Sequence, residues 1–311
     1  MIVSKEEAVA LLRQSQPVAI PTETVWGLAA RFSDQKAIEK IFTLKGRPRT
    51  NPLIIHVSSI DMVKEVTPPL PSQAELLMKS FWPGSLTLVL PILEDRILDS
   101  VRASLPMAAF RIPNNSDTLS LIDQAGPLVA PSANISGRPS ATTPQHVEHD
   151  FGVFFPILSS QSSCDKGIES TIVIWKDGAW HLGRPGAVNI VDIEDILETP
   201  ICDLHTSIPL CPGQKFRHYA PQAELHLKAS SWEPDESYDG VLGFEDRAYP
   251  KAPALITMGF STDPSSVAKR LYAALREIDD LGLTSVFVDA DFPQTVQWRA
   301  VLDRLHKATQ G

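Results

Sequence analysis

Three cations precede a run of apolar residues in the segment KGRPRTNPLIIHV, residues 45–57. The run LIIHV is typical of a strand that is buried on both faces. Lys45, Arg47 and Arg49 therefore lie on a short arm that the strand fixes at one end. Basic side chains held in this way bind phosphates and carboxylates through charge-assisted hydrogen bonds. We take the arm as a candidate anion-binding segment.

The charge of the whole chain limits what that anion is. The formal net charge is -9, whereas broad binding to nucleic acid normally needs a basic stripe that neutralises several phosphates. This balance disfavours nucleic acid as the main ligand. A small anion needs only a few cations and is compatible with an acidic protein.

Two further segments carry hydroxyl groups beyond the ends of apolar strands. PTETVWGLAA places Thr22, Glu23 and Thr24 in the turn after a strand that ends at Pro21, which is where open α/β sheets bind ligands. LVAPSANISGRPSATTP forms a loop rich in amides and hydroxyls that can turn toward an anion. Neither a Walker A motif nor G-x-G-x-x-G is present. Turn and cap chemistry is the alternative interpretation of both segments.

Other strand ends repeat this pattern. ESTIVIW begins with Glu169 and Ser170, Arg184 lies between glycines in LGRPGAV, and Arg111 ends the strand MAAFRIP. We recognise no Ser/His/Asp or Cys/His arrangement that would indicate covalent catalysis, and no pair of carboxylates that would indicate acid–base catalysis. The inventory favours a site that positions phosphates and screens their charge.

Two residues are candidates for a general base, His56 and Asp165. A single histidine in an apolar strand is more often a structural residue than a base. Because a base must first lie within hydrogen-bonding reach of the proton that it removes, both assignments stay open at the level of sequence.

The elements that must position these groups alternate as in an α/β fold. Through residues 1–198 apolar strands alternate with amphipathic helices, and some consecutive strands require antiparallel pairing. Residues 199–221 are rich in proline and basic residues without an evident core face, which predicts a linker. Residues 222–311 resume the α/β pattern and predict a second, smaller domain.

Composition adds several expectations. A chain of 311 residues fits two domains better than one. Cys164, Cys202 and Cys211 have no metal-ligand spacing and favour reduced thiols over a disulfide framework. We find no basic leader and no apolar run of about 18 residues. We therefore expect a cytoplasmic protein that has no membrane partner and no metal-ligating residues.

Taken in order, the motifs PTETVWGLAA, KGRPRTNPLIIHV, FWPGSLTLVL, PSANISGRPSATT, GIESTIVIW and GRPGAV closely resemble the YrdC-like domain of L-threonylcarbamoyladenylate synthases. CPGQKFRHYAP, residues 211–221, resembles the linker of the two-domain form of that family. Trp26 stands where the family usually has Tyr, and Gln214 where it usually has Met. The resemblance implies a twisted mixed-sheet domain followed by a smaller Rossmann-like α/β domain.

The resemblance also implies an activity. Members of the family are nucleotidyltransferases that join L-threonine, bicarbonate and ATP into threonylcarbamoyl-AMP and release pyrophosphate. A separate enzyme system then transfers the threonylcarbamoyl group to tRNA. Magnesium is expected to arrive with ATP, held mainly by phosphate and water. The implied partners are therefore ATP, L-threonine, bicarbonate and that transfer system.

Matching motif positions imply the site residues. The catalytic pair is Lys45 and Arg47. The implied ATP-binding residues are Arg47, Asn51, Ser132, Ser140, Arg184 and Tyr219. The implied L-threonine-binding residues are Thr24, His56, Arg111, Ala130 and Ser170, where Arg111 is suited to grip the amino-acid carboxylate.

Two rival functions stay open. One is an RNA-binding YrdC-like module without catalysis. The other is a carbamoyl-adenylate enzyme like the hydrogenase-maturation proteins, which carry zinc-finger-like parts that need more cysteines than this chain has.

The linker suggests a further hypothesis. Lys215, Arg217, His218 and Tyr219 cluster near its end, and a lid that folds over the nucleotide would exclude water from a labile product. A solvated tether is the alternative.

Overall fold

A computed structural model of the chain describes residues 1–204, 210–212, 219–235 and 237–309. The described residues form two sheets. The strands of the larger sheet are, in chain order, β1 (Ile2–Val3), β2 (Val18–Ile20), β3 (Gly27–Arg31), β4 (Ile54–His56), β5 (Leu86–Pro91), β6 (Met107–Arg111), β7 (Leu128–Val129), β8 (Ile157–Leu158), β9 (Thr171–Lys176), β10 (Ala179–Arg184) and β11 (Cys202–Asp203).

The larger sheet is mixed, as expected. Its strand order is β1-β8-β2-β3-β7-β4-β6-β5-β9-β10-β11. Strands β4 and β6 are parallel neighbours, and their register places His56 beside Arg111. Strands β2 and β3 form an antiparallel pair, as do β9 and β10. The turn between β2 and β3 carries the PTET segment to the edge where β4 and β6 end.

The helices of the first domain cover this sheet. They are α1 (Lys5–Arg13), α2 (Gln35–Lys45), α3 (Ile60–Lys64), α4 (Ser72–Phe81), α5 (Asp99–Arg102), α6 (Ser116–Ala125), α7 (Pro144–Phe151) and α8 (Ile190–Leu197). Helix α2 illustrates how local sequence sets their bounds. Asp34 caps it by accepting a hydrogen bond from Ala37 N, and Gly46 ends it with a φ of 60°. Lys45 is therefore the last helical residue.

The second domain is a smaller parallel α/β unit, in agreement with the Rossmann-like expectation. Its strands are β12 (Glu224–Lys228), β13 (Gly240–Gly243), β14 (Leu255–Thr257) and β15 (Ser285–Asp289), in the order β12-β15-β13-β14. Its helices are α9 (Pro264–Asp280) and α10 (Arg299–Thr309). Helix α9 buries the predicted apolar stripe, including Val267, Leu271 and Leu275.

Two segments differ from the expectations. Residues 27–31, which were not predicted as a strand, form β3 because they are buried between β2 and β7 and pair with both. The predicted linker begins with β11, which adds a parallel strand to β10. Cys211, also in that segment, is fully buried in a cluster with Ile174. Part of the predicted linker therefore packs on the first domain.

Gln214, Lys215, Arg217 and His218 lie outside the described residues. Among the residues that are described, no helix combines the length and the apolar character that a membrane span requires.

Candidate functional site

A cavity gathers most of the predicted site residues. It lies where the β2–β3 turn, the end of α2, the ends of β4 and β6 and the hydroxyl-rich loop after β7 meet. Of the residues expected from sequence, those that line it are Thr24, Lys45, Arg47, His56, Arg111, Ala130, Ser132, Ser170, Arg184 and Tyr219. Side chains that are far apart in sequence therefore share one site.

Two predicted residues lie outside this lining. Asn51 is buried beneath the arm, and its main-chain oxygen accepts a hydrogen bond from Arg47 Nε at 3.3 Å. Ser140 is also buried, and its hydroxyl donates to Glu169 Oε1 at 2.7 Å. Both support residues that line the cavity. Their direct contact with ATP stays a prediction.

The arm does not present three equivalent cations. Arg49 forms an ion pair with Glu39 on the surface, where 71% of its side chain is exposed. The candidate base Asp165 is likewise exposed and accepts a hydrogen bond from Ser163, away from the cavity lining. Arg49 therefore does not line the cavity in this structure, and helix α2 offers it an acidic partner in Glu39.

Lys45 is buried rather than exposed on an arm. Its ammonium donates hydrogen bonds to the carbonyl oxygens of Ser132 and Asn134, while its own carbonyl accepts from Ser136 N at 2.8 Å. Burial, with Arg47 nearby, holds the pKa of Lys45 well below its usual value. The lysine therefore ties the hydroxyl-rich loop to the end of α2, so that its charge and the loop reach the cavity together.

Arg47 is anchored but keeps donors for a ligand. Its Nη2 donates to Pro52 O at 2.8 Å, in addition to the bond from Nε to Asn51 O. Burial, and then repulsion from Arg184, lowers the pKa of Arg47 to about 10, so the guanidinium stays charged at neutral pH. Nη1 makes no hydrogen bond to a described residue, which leaves it available to an anion in the cavity.

Arg111 is held by a buried carboxylate. Nη2 lies 2.7 Å from Glu23 Oε1, Nη1 donates to Thr24 Oγ1 at 2.9 Å, and Nε donates to Gly84 O at 2.9 Å. Burial raises the pKa of Glu23, but Arg111 and a hydrogen bond from Ser85 lower it by more. The net effect is a pKa below the ordinary value. A substrate carboxylate at Arg111 would therefore share the guanidinium with Glu23.

His56 lies beside Arg111 and is neutral. Burial, with repulsion from Arg111, lowers its pKa to about 3. Nδ1 is buried and has no hydrogen-bond partner among the described residues. A neutral imidazole with an unused nitrogen can form a hydrogen bond with a bound ligand, but it is too weak a base to take a proton in water at neutral pH.

Glu169 is the centre of a buried charge cluster. It accepts hydrogen bonds from Ser140 Oγ, from Tyr272 Oη at 2.7 Å and from Arg304 Nε at 2.9 Å. Burial alone would raise the pKa of Glu169, but Arg304 and Arg184 hold it at about 2. The carboxylate is therefore ionised at neutral pH, weakly basic and engaged by three donors.

Sequence reasoning missed the roles of Glu23, Tyr272 and Arg304. Glu23 was part of a recognised motif, but nothing in the sequence pairs it with Arg111. Arg304 lies between Val301 and Leu305 on the apolar face of α10, and a charged residue at such a position is the available signal. Among the described residues, no group of three or more His, Cys, Asp or Glu could hold a metal ion.

Comparison with known proteins agrees with this architecture. The Sua5–YciO–YrdC family model, described as "Telomere recombination", matches residues 10–186, and the model of the threonylcarbamoyl-AMP synthase C-terminal domain matches residues 188–310. Threonylcarbamoyl-AMP synthase from Bacillus subtilis is 37% identical over 98% of this chain and 92% of its own length.

A relative from Pyrococcus abyssi is also similar over both domains. Threonylcarbamoyl-AMP synthase from Pyrococcus abyssi is 33% identical over 97% of this chain and 93% of its own length. The crystal structure of P. abyssi Sua5 complexed with L-threonine has a TM-score of 0.89 at 31% identity, covering 99% of this chain and 97% of that one. The chain therefore belongs to the Sua5–YciO–YrdC family and, within it, to the group that carries the threonylcarbamoyl-AMP synthase C-terminal domain.

Proposed function

We propose that this protein is an L-threonylcarbamoyladenylate synthase, which forms threonylcarbamoyl-AMP and pyrophosphate from L-threonine, bicarbonate and ATP. The relatives that span both domains carry the name of this activity. The observation that carries the proposal is a single cavity lined by two groups of polar residues. Together these groups provide cations, hydroxyls and a neutral histidine. Such a site positions charged reactants and stabilises the charge that develops between them.

The first group suits the amino acid. Arg111 and His56 are neighbours across β4 and β6, and Thr24 accepts a hydrogen bond from Arg111. Arginine binds a carboxylate through two parallel hydrogen bonds. Glu23, ionised beside Arg111, would attract the ammonium group of threonine while Arg111 attracts its carboxylate.

The second group suits the nucleotide. Arg47, Arg184 and Tyr219 line the cavity close enough to influence one another electrostatically. The loop that Lys45 ties in place adds the hydroxyl of Ser132. Guanidinium groups can follow the negative charge of a phosphate chain, and an aromatic ring provides a surface for the base.

The proposed reaction has two steps. The ammonium group of threonine first releases a proton to water. The neutral amine then attacks the carbon of bicarbonate, and loss of water gives a carbamate. A carbamate oxygen then attacks the α-phosphorus of ATP, and the bond to the β-phosphate oxygen breaks to release pyrophosphate. Arg47 and Arg184 would stabilise the charge on the phosphoryl oxygens, which is the main contribution that a protein makes to phosphoryl transfer.

Magnesium enters the proposal as a companion of ATP. The described residues offer no cluster of metal ligands, and the cavity carboxylate Glu169 is engaged by three donors. A magnesium ion held by phosphate oxygens and water fits this arrangement. Removing divalent ions with EDTA should abolish pyrophosphate release, and added magnesium should restore it; full activity in EDTA would contradict this part.

The product is proposed to pass to an enzyme system that modifies tRNA. Direct RNA binding as the sole function receives less support, because Lys45, Arg111 and Arg184 are buried rather than arranged as an exposed basic stripe. Buried cations of this kind favour a ligand that enters the cavity.

The deciding experiment measures pyrophosphate release from ATP and magnesium with each amino acid, with and without bicarbonate. We expect release to require both L-threonine and bicarbonate, and mass spectrometry to detect threonylcarbamoyl-AMP. Equal release with serine, or without bicarbonate, would contradict the assignment. RNA binding that falls with salt and occurs without ATP turnover would favour the RNA-binding alternative.

A further inference from the structure

Two polar side chains of the second domain are buried against the first domain. Tyr272 on α9 and Arg304 on α10 are both fully buried, and both donate hydrogen bonds to Glu169, which lines the cavity. Together they supply two of the donors that keep this carboxylate ionised. The second domain therefore reaches a first-domain residue of the site.

The same two side chains enclose Tyr219. The ring of Tyr272 lies 5.3 Å from the ring of Tyr219 at an interplanar angle of 30°, and the guanidinium carbon of Arg304 lies 5.1 Å from the centre of the Tyr219 ring. Tyr219 itself lines the cavity and is buried, with a φ of 65°. Positive φ is unfavourable for a tyrosine and persists only where the surroundings hold it. Aromatic and cation–π contacts of this kind fix the plane of a ring.

The domains are also joined by contacts outside this cluster. Arg276 on α9 forms a second pair of hydrogen bonds with the buried Asp150, and Gly167 lies so close to α9 that an added Cβ would be 2.3 Å from Lys269 Cα. A buried ion pair contributes little net stability compared with apolar packing. Since other contacts also join the domains, the buried Arg304 is expected to act on the groups that it contacts in the site, Glu169 and Tyr219.

We propose that Tyr272 and Arg304 are positioning residues for the nucleotide part of the cavity. They hold Tyr219 and Glu169 in place and do not themselves line the cavity. This inference rests on the proposed function and deepens it, because it assigns to the second domain a share of the ATP site. Among the described residues, Arg111 and His56 of the amino-acid group form no hydrogen bond with Tyr272 or Arg304, so threonine binding should be unaffected.

The test compares conservative variants of the full-length protein. Tyr272→Phe removes only the hydroxyl that donates to Glu169, and Arg304→Lys keeps a positive charge but loses the planar group over Tyr219. Tyr249→Phe is the matched control, since the Tyr249 hydroxyl is also buried in the second domain and donates to a carboxylate, Asp289, at 2.7 Å. Kinetics of pyrophosphate release and calorimetric binding of ATP are measured for each.

The expected result separates the two substrates. KM for ATP and the dissociation constant of ATP should rise about tenfold in Tyr272→Phe and in Arg304→Lys, as expected for the loss of one hydrogen bond to a charged group. KM for threonine should be unchanged. Because both residues act on the same pair, the double variant should lose less than the product of the single effects. Tyr249→Phe should have the ATP affinity and the KM values of the wild type, even if it loses as much thermal stability as Tyr272→Phe does.

Three outcomes would overturn the inference. One is unchanged ATP binding in both variants, and another is an equal rise in KM for both substrates. The third is a loss of ATP affinity in Tyr249→Phe as large as in Tyr272→Phe. Failure of the proposed function is recognised separately, because wild-type protein would then neither bind ATP nor release pyrophosphate in response to threonine.

Discussion

Neighbouring cations have different structural roles in this protein. Lys45, Arg47 and Arg49 are spaced two residues apart, but Lys45 ties down a loop, Arg47 faces the cavity and Arg49 pairs with Glu39 on the surface. The difference arises from the end of α2 at Gly46, after which the chain no longer keeps helical spacing. The sequence identifies the cluster of cations, but only the path of the backbone shows which of them face the cavity and which face the solvent.

Substitution of Arg47 should therefore reduce activity strongly, whereas substitution of Arg49 should have little effect. Arg47→Ala removes a preorganised guanidinium from the cavity and should lower kcat for pyrophosphate release on the order of 10²-fold. Arg49→Ala, two residues away, removes an exposed ion pair and should leave the rate within about twofold. Steady-state kinetics on both variants checks this. Equal losses would mean that Arg49 reaches the ligand after all.

The buried His56 predicts a dependence of stability on pH. Its pKa is lowered to about 3 in the folded protein, against about 6.5 in the unfolded chain. The unfolded state therefore binds more protons between these values, so the free energy of unfolding falls as pH decreases below about 6.5. The slope from this one residue is up to about 1.4 kcal/mol per pH unit.

Urea unfolding between pH 5 and pH 7.5 measures this slope. His56→Gln should reduce it, whereas replacement of the exposed His306 by Gln should not. His146, whose pKa burial lowers to about 4, contributes in all three proteins, so some dependence should persist. A variant with an unchanged slope would show that His56 is accessible to protons in the folded state.

At the scale of elements, one close approach controls the geometry of the site. A Cβ at Gly186, just after β10, would lie 2.4 Å from the main-chain atoms of Ser170 and Thr171. Because these atoms belong to the backbone, the turn after β10 and the start of β9 must separate if any side chain is added. Glu169 and Ser170 would move with them.

Gly186→Ala should therefore affect both stability and activity. We expect a loss of about 1–3 kcal/mol in the free energy of unfolding, as for overpacking, together with a rise in KM for ATP. Gly178→Ala is the control, because Gly178 has a φ of 80° and open space around it, so that variant incurs about 1 kcal/mol of backbone strain without displacing the site. Chemical denaturation and steady-state kinetics distinguish the two. Normal kinetics in a destabilised Gly186→Ala variant would show that the turn after β10 does not control the geometry of the site.

Sequence patterns predicted most elements but not all of them. Strong apolar runs such as β5 and amphipathic helices such as α2 and α9 follow directly from periodicity. Strand β3 was missed because its residues GLAAR have small side chains and follow a turn signal. The two residues of β11 carry no signal, since only their pairing with β10 makes them a strand. Short strands depend on neighbours that a local pattern does not reveal.

The same limit applies to the site. Residues within motifs, such as Thr24 and Arg184, could be assigned to one cavity because each follows or ends a strand. The contact between Glu23 and Arg111 joins residues 88 positions apart, and it depends on the fold bringing the β2–β3 turn to the end of β6. Arg304 lies even farther from its partner Glu169, in another domain. Such pairs require the fold before they can be recognised.

At the scale of the whole molecule, a second buried ion pair joins the domains. The side chain of Asp150 is fully buried, and that of Arg276 is 7% exposed. Burial raises the pKa of Asp150, but Arg276 and a main-chain hydrogen bond from Ile135 lower it by more, so that the pKa lies below its ordinary value. The pair also receives support from Pro139, whose carbonyl accepts from Arg276 Nη2 at 2.6 Å.

Removing one partner should cost more than removing a surface pair. Asp150→Asn leaves Arg276 buried without its counter-ion and should lower the free energy of unfolding by about 3 kcal/mol. Glu277→Gln, on the same helix, breaks the partly exposed pair with Arg270 and should cost less than about 1 kcal/mol. Denaturant unfolding of both variants tests this. A small effect at Asp150 would indicate that water reaches the domain interface.

The contacts of Glu169 have a consequence for exchanging domains between proteins of this kind. In a chimera whose second domain lacked the Tyr272 and Arg304 donors, Glu169 would keep only Ser140 among the three donors described here. The pKa of the buried carboxylate would then rise, although Arg184 and Ser140 would still lower it. Glu169, Tyr272 and Arg304 should consequently be transplanted as one unit, and in directed evolution a change at any of them should be tolerated mainly when another changes with it.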